Sequence, residues 1–176
     1  MPEDVAYPPK TSLPLWDAAP PRLDPSAAEY TLFSLDSRDD ATADGWASEL
    51  TEQDIPAQLV RIDGASLPRW LTGCFTEFEQ LAASRHVGWR IAAAGDEVGV
   101  LAALAAGRHI GLIDTEITVF AETRLRRRVY CAHCKATTLT GFDEHVVCTG
   151  CHGRLAVRPH CSRDTGSYLG VRGAPA

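Results

Sequence analysis

Apolar residues in the first two thirds of the chain recur at two periods. Tyr30-Thr-Leu-Phe-Ser-Leu35 alternates and is rich in β-favouring residues, so it reads as a strand, as does Gln58-Leu-Val-Arg-Ile62. Ser37–Asp44 between them reads as an acidic loop, and Gly45–Leu50 as a short helix. Trp70, Leu71, Phe75, Phe78 and Leu81 follow at helical spacing behind Pro68, which predicts an amphipathic helix over Pro68–Ser84. Trp89–Ala94 is an apolar strand, Asp96–His109 an alanine- and leucine-rich helix, and Glu116–Phe120 another strand. Strands alternating with helices predict an α/β class fold, a small open sheet, parallel or mixed, covered on both faces. Ligands in such folds bind beyond the C-terminal ends of the strands. Ala94-Gly95-Asp96-Glu97 is the clearest strand-to-helix junction there. Its helix start offers free N–H groups to an anion, but Asp96 and Glu97 already bring negative charge to it, which predicts self-capping. No G-x-G-x-x-G or Walker-type loop is present.

Past residue 121 the pattern changes to short β-prone pieces around cysteines: Arg128–Tyr130, Thr137–Thr140, His145–Val147 and Leu155–Val157. Cys131-Ala-His-Cys134 and Cys148-Thr-Gly-Cys151 form two C-x-x-C knuckles, so Cys131, Cys134, Cys148 and Cys151 are the candidate metal ligands. Four thiolates suit tetrahedral zinc or iron, and they fill the coordination shell. That points to structure or electron transfer rather than hydrolysis. Lys135 and His152 stand after the second cysteine of each knuckle, where rubredoxin-type iron sites usually carry glycine or another small residue. The residues fit structural zinc, with iron as the alternative. Cys148-Thr-Gly-Cys151-His152 also spells the c-type haem attachment motif, but haem attachment leaves Cys131 and Cys134 without a role and needs export. Met1-Pro2-Glu3-Asp4 has neither the basic start nor the apolar run of a secretory signal, so reduced thiols and a cytoplasmic location are expected.

Charge divides the chain the same way. Residues 1–121 hold 8 lysines and arginines against 19 acidic residues, a balance of −11, while residues 122–176 hold 9 against 4, a balance of +5. Arg124, Arg126, Arg127 and Arg128 lead into the first knuckle. A basic ribbon can bind nucleic acid through phosphates, but no aromatic ladder or recognition helix accompanies these arginines. The expectation is that they offset the thiolates and the acidic half, or face a protein. Residues 1–29 carry seven prolines and predict an extended arm, with Tyr7, Leu13, Leu15 and Trp16 as apolar anchors. Trp16 is the expected anchor on a partner subunit. The organisation expected is an arm over 1–29, an α/β domain over 30–121 and a four-cysteine zinc-ribbon-like module over 122–176.

The order of these features is similar to the DmmA-like subunit of bacterial dimethylamine monooxygenase. The resemblance rests on Gly88–Glu97, Tyr130-Cys-x-x-Cys134, Cys148-x-Gly-Cys151-His-Gly-x-Leu155 and the closing Val157-Arg-Pro-His160-Cys-Ser162-Arg163…Tyr168-Leu-Gly170-Val171. It implies a multi-subunit enzyme that oxidatively demethylates dimethylamine to methylamine and formaldehyde with dioxygen and a reduced nicotinamide cofactor. Haem sits on one partner subunit and flavin with iron–sulfur on another. This chain is then an accessory subunit without catalytic or cofactor-binding residues, docking the reductase and the haem oxygenase. Its α/β part resembles the nicotinamide-binding half of ferredoxin reductases, with Ala94 where those enzymes carry a cysteine facing the nicotinamide. Cys161 replaces an aromatic residue and Leu169 a methionine of the family pattern; Cys161 and Cys74 read as buried core thiols. The spacing assigns no chemistry to His160, Ser162, Arg163 or Tyr168. Two other classes stay open: a rubredoxin-like iron electron carrier and a basic zinc ribbon binding nucleic acid.

Overall fold

A computed structural model describes residues 12–172, and Tyr7 of the expected arm lies outside the described residues. The elements in chain order are β1 (Glu29–Leu35), α1 (Ala41–Glu52), β2 (Ala57–Ile62), α2 (Leu67–Ala82), β3 (Trp89–Asp96), α3 (Glu97–His109) and β4 (Ile117–Thr123). These are followed by β5 (Arg127–Cys131), β6 (Thr137–Thr140), β7 (His145–Val147), β8 (Arg154–Ser162) and β9 (Ser167–Arg172).

The first four strands form one wholly parallel sheet in the order β2-β1-β3-β4. Right-handed crossovers then dictate where the helices lie. Trp46 and Leu50 of α1 pack on Tyr30, Leu32, Ala92 and Ala94 on one face. The apolar stripes of α2 and α3 pack on Phe33, Leu35, Ile91 and Ala93 on the other. Phe33 stacks on Phe78 at 5.0 Å between ring centres. The expectation of a sheet covered on both faces is met.

Three local differences have physical causes. Helix α1 runs over Ala41–Glu52, so the acidic loop expected to reach Asp44 ends earlier. Thr, Asp and Gly in its first turns each cost up to about 1 kcal/mol of propensity. Burial of Trp46 and Leu50 returns about 1.5–3 kcal/mol each, and tertiary packing wins. Strand β8, expected over Leu155–Val157, extends to Ser162 because Pro159 falls in the irregularity between Val157 and Cys161, where the ladder needs no N–H. Strand β9 has no counterpart in the sequence reading; Gly170 breaks its pattern. A Cβ at Gly170 would come within 2.7 Å of Val129 and 2.9 Å of Leu155, so the residue marks close strand packing.

Residues 12–28 contain no helix or strand, as the prolines require. They do not wait for a partner, however. Leu23 and Ala27 are buried with Ala92 and Ala94 over the β3 side of the sheet. Trp46 donates its ring N–H to the Pro21 carbonyl at 3.0 Å. Leu13 and Trp16 pack on Leu101, Cys161 and Tyr168, and only Leu15 stands free, 94% exposed. The expectation that Trp16 anchors on another subunit is therefore corrected: its anchor is its own chain. Asp24 ties this segment down through Arg90 and the Ser26 amide. The Ser26 N–H, followed by the Arg90 guanidinium, lowers the Asp24 carboxyl to about 2. Because the folded value lies below the ordinary 3.8, this tether is fully present above about pH 4 and is lost as pH falls through 2. Amides of residues 21–28 should lose hydrogen-exchange protection in that window. An Asp24→Asn chain should show the loss already at neutral pH; equal protection in both chains would refute the tether.

The last five strands form a second sheet in the order β6-β5-β9-β8-β7, with β5 and β9 parallel and every other neighbour antiparallel. Its β9 side leans on α3 through Tyr168 and Cys161.

Candidate metal centre

Cys131 closes β5 and Cys148 follows β7, so each knuckle begins where a strand ends. The two turns have the same hydrogen bonding. Cys131 N–H donates to the Ala136 carbonyl at 2.9 Å, and Lys135 N–H donates to the Cys131 carbonyl at 2.9 Å. In the second knuckle Cys148 N–H donates to Gly153 at 3.0 Å, and His152 N–H donates to Cys148 at 3.0 Å. Lys135 and His152 both take left-handed backbone, φ 68° and 55°. The bulk of these side chains does not change the turn; they adopt the conformation that glycine adopts more easily. The Thr138 hydroxyl accepts from the Thr149 amide at 3.1 Å and joins one knuckle's strand to the other knuckle. At Gly150 a Cβ would come within 2.7 Å of the Ala136 Cβ and 3.1 Å of the Cys134 sulfur, so only glycine lets the turns approach.

The result brings all four predicted sulfurs together, within 4.8 Å of one another. Cys131 and Cys151 are 3.9 Å apart, and Cys134 and Cys148 are 3.5 Å apart. Tetrahedral bonds of about 2.3 Å require edges of about 3.8 Å, so these two edges match a four-thiolate metal site closely. The Cys151 amide, opposed by burial and helped by the Gly150 amide, lowers the Cys148 thiol to about 6. The Gly153 amide likewise lowers Cys151. Backbone donors thus favour the thiolate, the form a metal needs, at Cys148 and Cys151; at Cys134 the Ala136 amide is outweighed by burial and the neighbouring sulfurs, and its thiol is raised to about 11. Cys161 is no fifth ligand: it lies against Leu101 and Tyr168, and burial raises its thiol to about 11. Cys74 is fully buried in the α/β core, and burial raises its thiol to about 11 as well.

The second candidate site, the β3–α3 junction, has been turned inward. The strand order makes the C-terminal ends of β1 and β3 a topological switch point, the ordinary ligand crevice of such sheets. Gly95 has φ 134°, and a Cβ there would sit 2.0 Å from the Leu35 carbonyl oxygen, so the strands pinch closed. Asp96 does not cap α3, which corrects the self-capping expectation. Its carboxylate accepts from the Leu125 amide at 2.8 Å, from the Thr123 hydroxyl at 3.2 Å and from Arg126 Nε at 3.2 Å. Arg126 also pairs with Asp36 at the end of β1, and so spans the crevice. Glu97, 1% exposed, accepts from Trp16 Nε1 at 2.9 Å and from the Tyr168 hydroxyl at 2.5 Å, and pairs with Arg124 at 3.0 Å. Both acids still place negative charge at the helix start. Their partners come from the linker, the arm and the ribbon.

The closing motif also finds its partners within the chain. Tyr168 reaches Glu97, Arg163 faces Asp114 at 3.9 Å, and the Ser162 carbonyl accepts from the Cys161 thiol. His160 Nδ1 lies 2.7 Å from the Ser12 hydroxyl, which accepts from the Cys161 amide. The basic run is likewise spent within the molecule. Arg124 and Arg126 meet the acid pair, Arg127 lies over the rings of Phe142 and Tyr168, and Arg128 is mostly buried, which lowers its guanidinium from the ordinary value. No signal in the sequence paired these arginines with acids from other elements.

Residues 128–171 match the family described as dimethylamine monooxygenase subunit DmmA-like, C-terminal domain. The ribbon is similar to a DmmA-like C-terminal domain. The heme-dependent oxidative N-demethylase delta subunit of Ectopseudomonas mendocina (strain ymp) is 38% identical over 86 residues, 49% of this chain. The chain spans about half the length of that curated relative. The DmmA-like resemblance read from the sequence is thus borne out. No solved structure matches the chain. Among the described residues, no helix is long and apolar enough to cross a membrane.

Proposed function

We propose that this DmmA-like chain is an accessory subunit of a multi-subunit oxidative N-demethylase acting on dimethylamine, and that it docks the reductase and haem oxygenase subunits. The observation that carries the reading is the match of the four-cysteine ribbon to the DmmA-like domain, joined by the similarity to a delta subunit of a heme-dependent enzyme. The four cysteines hold one structural ion, zinc, whose chemistry there is to clamp two turns. The arm, residues 30–121 and residues 122–176 act as three units. The α/β unit is read as a nicotinamide-binding half of ferredoxin-reductase type kept as a scaffold. Its parallel order β2-β1-β3-β4 and the Arg126 bridge across its crevice support this reading. The internal pairing of Arg124 and Arg126 weighs against the nucleic-acid alternative.

The test is purification of the intact complex with metal analysis and assay of formaldehyde release. One zinc per chain is expected, with demethylation lost when the chain is omitted and restored on addition. Iron with visible absorption supports the electron-carrier alternative. The free chain should give no saturable heat with reduced nicotinamide cofactors, since Arg126 and Asp96 occupy the crevice. Micromolar affinity for either cofactor refutes the scaffold reading.

A further inference from the structure

The arm is fastened to the rest of the molecule at two points. The Ser12 hydroxyl accepts from the Cys161 amide at 3.2 Å, and Trp16 donates to Glu97 at 2.9 Å. Pro14 lies between them and has no N–H to offer the edge strand β4, so this stretch bridges over the edge without pairing to it. Beneath the bridge is a cavity of about 190 Å³. Leu101 and Leu104 of α3 line it from one element, Ile117 and Val119 of β4 from another, and Pro14 and Trp16 from the arm. Leu15, the side chain best placed to plug the gap, stands at its mouth and is 94% exposed. The two polar side chains on the inner wall are already engaged. The Ser12 hydroxyl meets His160 Nδ1 and the Cys161 amide, and the Cys161 thiol donates to the Ser162 carbonyl. Water needs two to four free polar partners, whereas an apolar cavity of about 150 Å³ stays dry and takes up benzene. The walls therefore suit an apolar guest.

The rim says what head group the guest carries. Arg163 and Asp114 are the charged residues on the lining, with Nη1 and Oδ2 3.9 Å apart, too far for a hydrogen bond. Asp114 spends its other oxygen on Arg108, whose Nε faces Asp164 at 3.3 Å. The four charges sum to zero. A carboxylate entering here meets Asp114 and an ammonium meets Arg163, so neither sign gains a net field. A neutral group that both accepts and donates a hydrogen bond meets a donor and an acceptor side by side. We propose that the cavity is a binding site for a small neutral molecule. Its apolar body is the size of one six-membered ring and lies against Leu101, Ile117 and the Trp16 indole. Its head is a carboxamide that accepts from Arg163 and donates to Asp114. The arm is one wall of this site, so an occupant ties the arm to α3, β4 and the end of β8, and stabilises the folded chain by mass action.

The experiment titrates the full-length, metal-loaded chain with benzamide and follows the Trp16 indole N–H resonance, assigned by its loss in Trp16→Phe. A saturable shift is expected, with benzoate and benzylamine at least tenfold weaker at neutral pH. Cys161→Phe places a ring in the cavity and should weaken benzamide at least tenfold. An unchanged hydrogen-exchange pattern in α3 and β9 shows that this variant folds; should it fail to fold, Leu104→Trp takes its place. Arg163→Met should weaken benzamide several-fold and leave benzene, which has no head group, unchanged. Absence of saturation with both benzamide and benzene overturns the site. So does saturation that survives Cys161→Phe and Leu104→Trp, since the probe then binds elsewhere. Benzoate or benzylamine binding as tightly as benzamide overturns the neutral class, and an Arg163→Met chain with full benzamide affinity overturns the carboxamide head.

Discussion

Replacing Cys148 by Ser should unfold residues 128–172 and leave the parallel sheet standing. The apolar cluster behind the knuckles contains only Val129 and Leu155 as buried residues besides the cysteines. Each such side chain supplies about 1.5–3 kcal/mol. Ordering the backbone costs about 1–2 kcal/mol per residue, and the five ribbon strands alone far exceed what two side chains return. Binding energy of a structural ion, of order 10 kcal/mol in small ribbons, is therefore a large part of this sheet's folding energy. A strong chelator should have the same effect as the substitution. Hydrogen exchange reads both halves at once: amides of β5, β8 and β9 should exchange freely while those of β1 and β3 stay protected. A Cys148→Ser chain with full metal content and native protection in the ribbon would refute the claim.

Replacing Glu97 by Ala should be the most damaging change outside the ribbon core. The substitution leaves the Tyr168 hydroxyl, the Trp16 ring N–H and the Arg124 guanidinium without their common acceptor. Removing one member of a buried pair costs about 3–5 kcal/mol, and the half-exposed Arg124 puts this case at the lower end. A loss of about 3 kcal/mol corresponds to a fall of about 6–12 °C in midpoint for a chain of this size. The arm and the ribbon should loosen together, since one carboxylate holds both. Trp16 should become more accessible to a soluble quencher, and proteolysis should speed up at residues 124–126. Glu97→Gln, which keeps an acceptor oxygen, should recover part of the loss. A Glu97→Ala chain with unchanged midpoint and unchanged quenching would show that the junction is held by other contacts.

The strands and helices that sequence reveals here are those whose own residues carry the period. β1, β2 and β3 emerge from their apolar runs, α2 from five large side chains on one face, and the metal centre from four cysteines within 21 positions. What stays hidden depends on partners far away in the chain. Ala41–Gly45 looks like a loop until Trp46 and Leu50 are seen seated on the sheet. Trp16 looks like an anchor for another protein because its acceptor, Glu97, is 81 positions away. Asp96 looks like a cap because local spacing is all a sequence shows, whereas its donors lie 27 to 30 positions downstream. The unequal charge of the two halves was visible, but not that individual arginines and acids meet across the junction.

The pairing of β5 with β9 sets a timetable for synthesis. All four thiols precede Ser167, so the ribosome releases the whole ligand set before the strand that completes the sheet and carries Tyr168. The ion can be captured by a nascent chain whose ribbon is still open, while Glu97, made some seventy residues earlier, stands without its hydroxyl donor. In chain order, then, the ligand set is complete before the strand that docks onto α3.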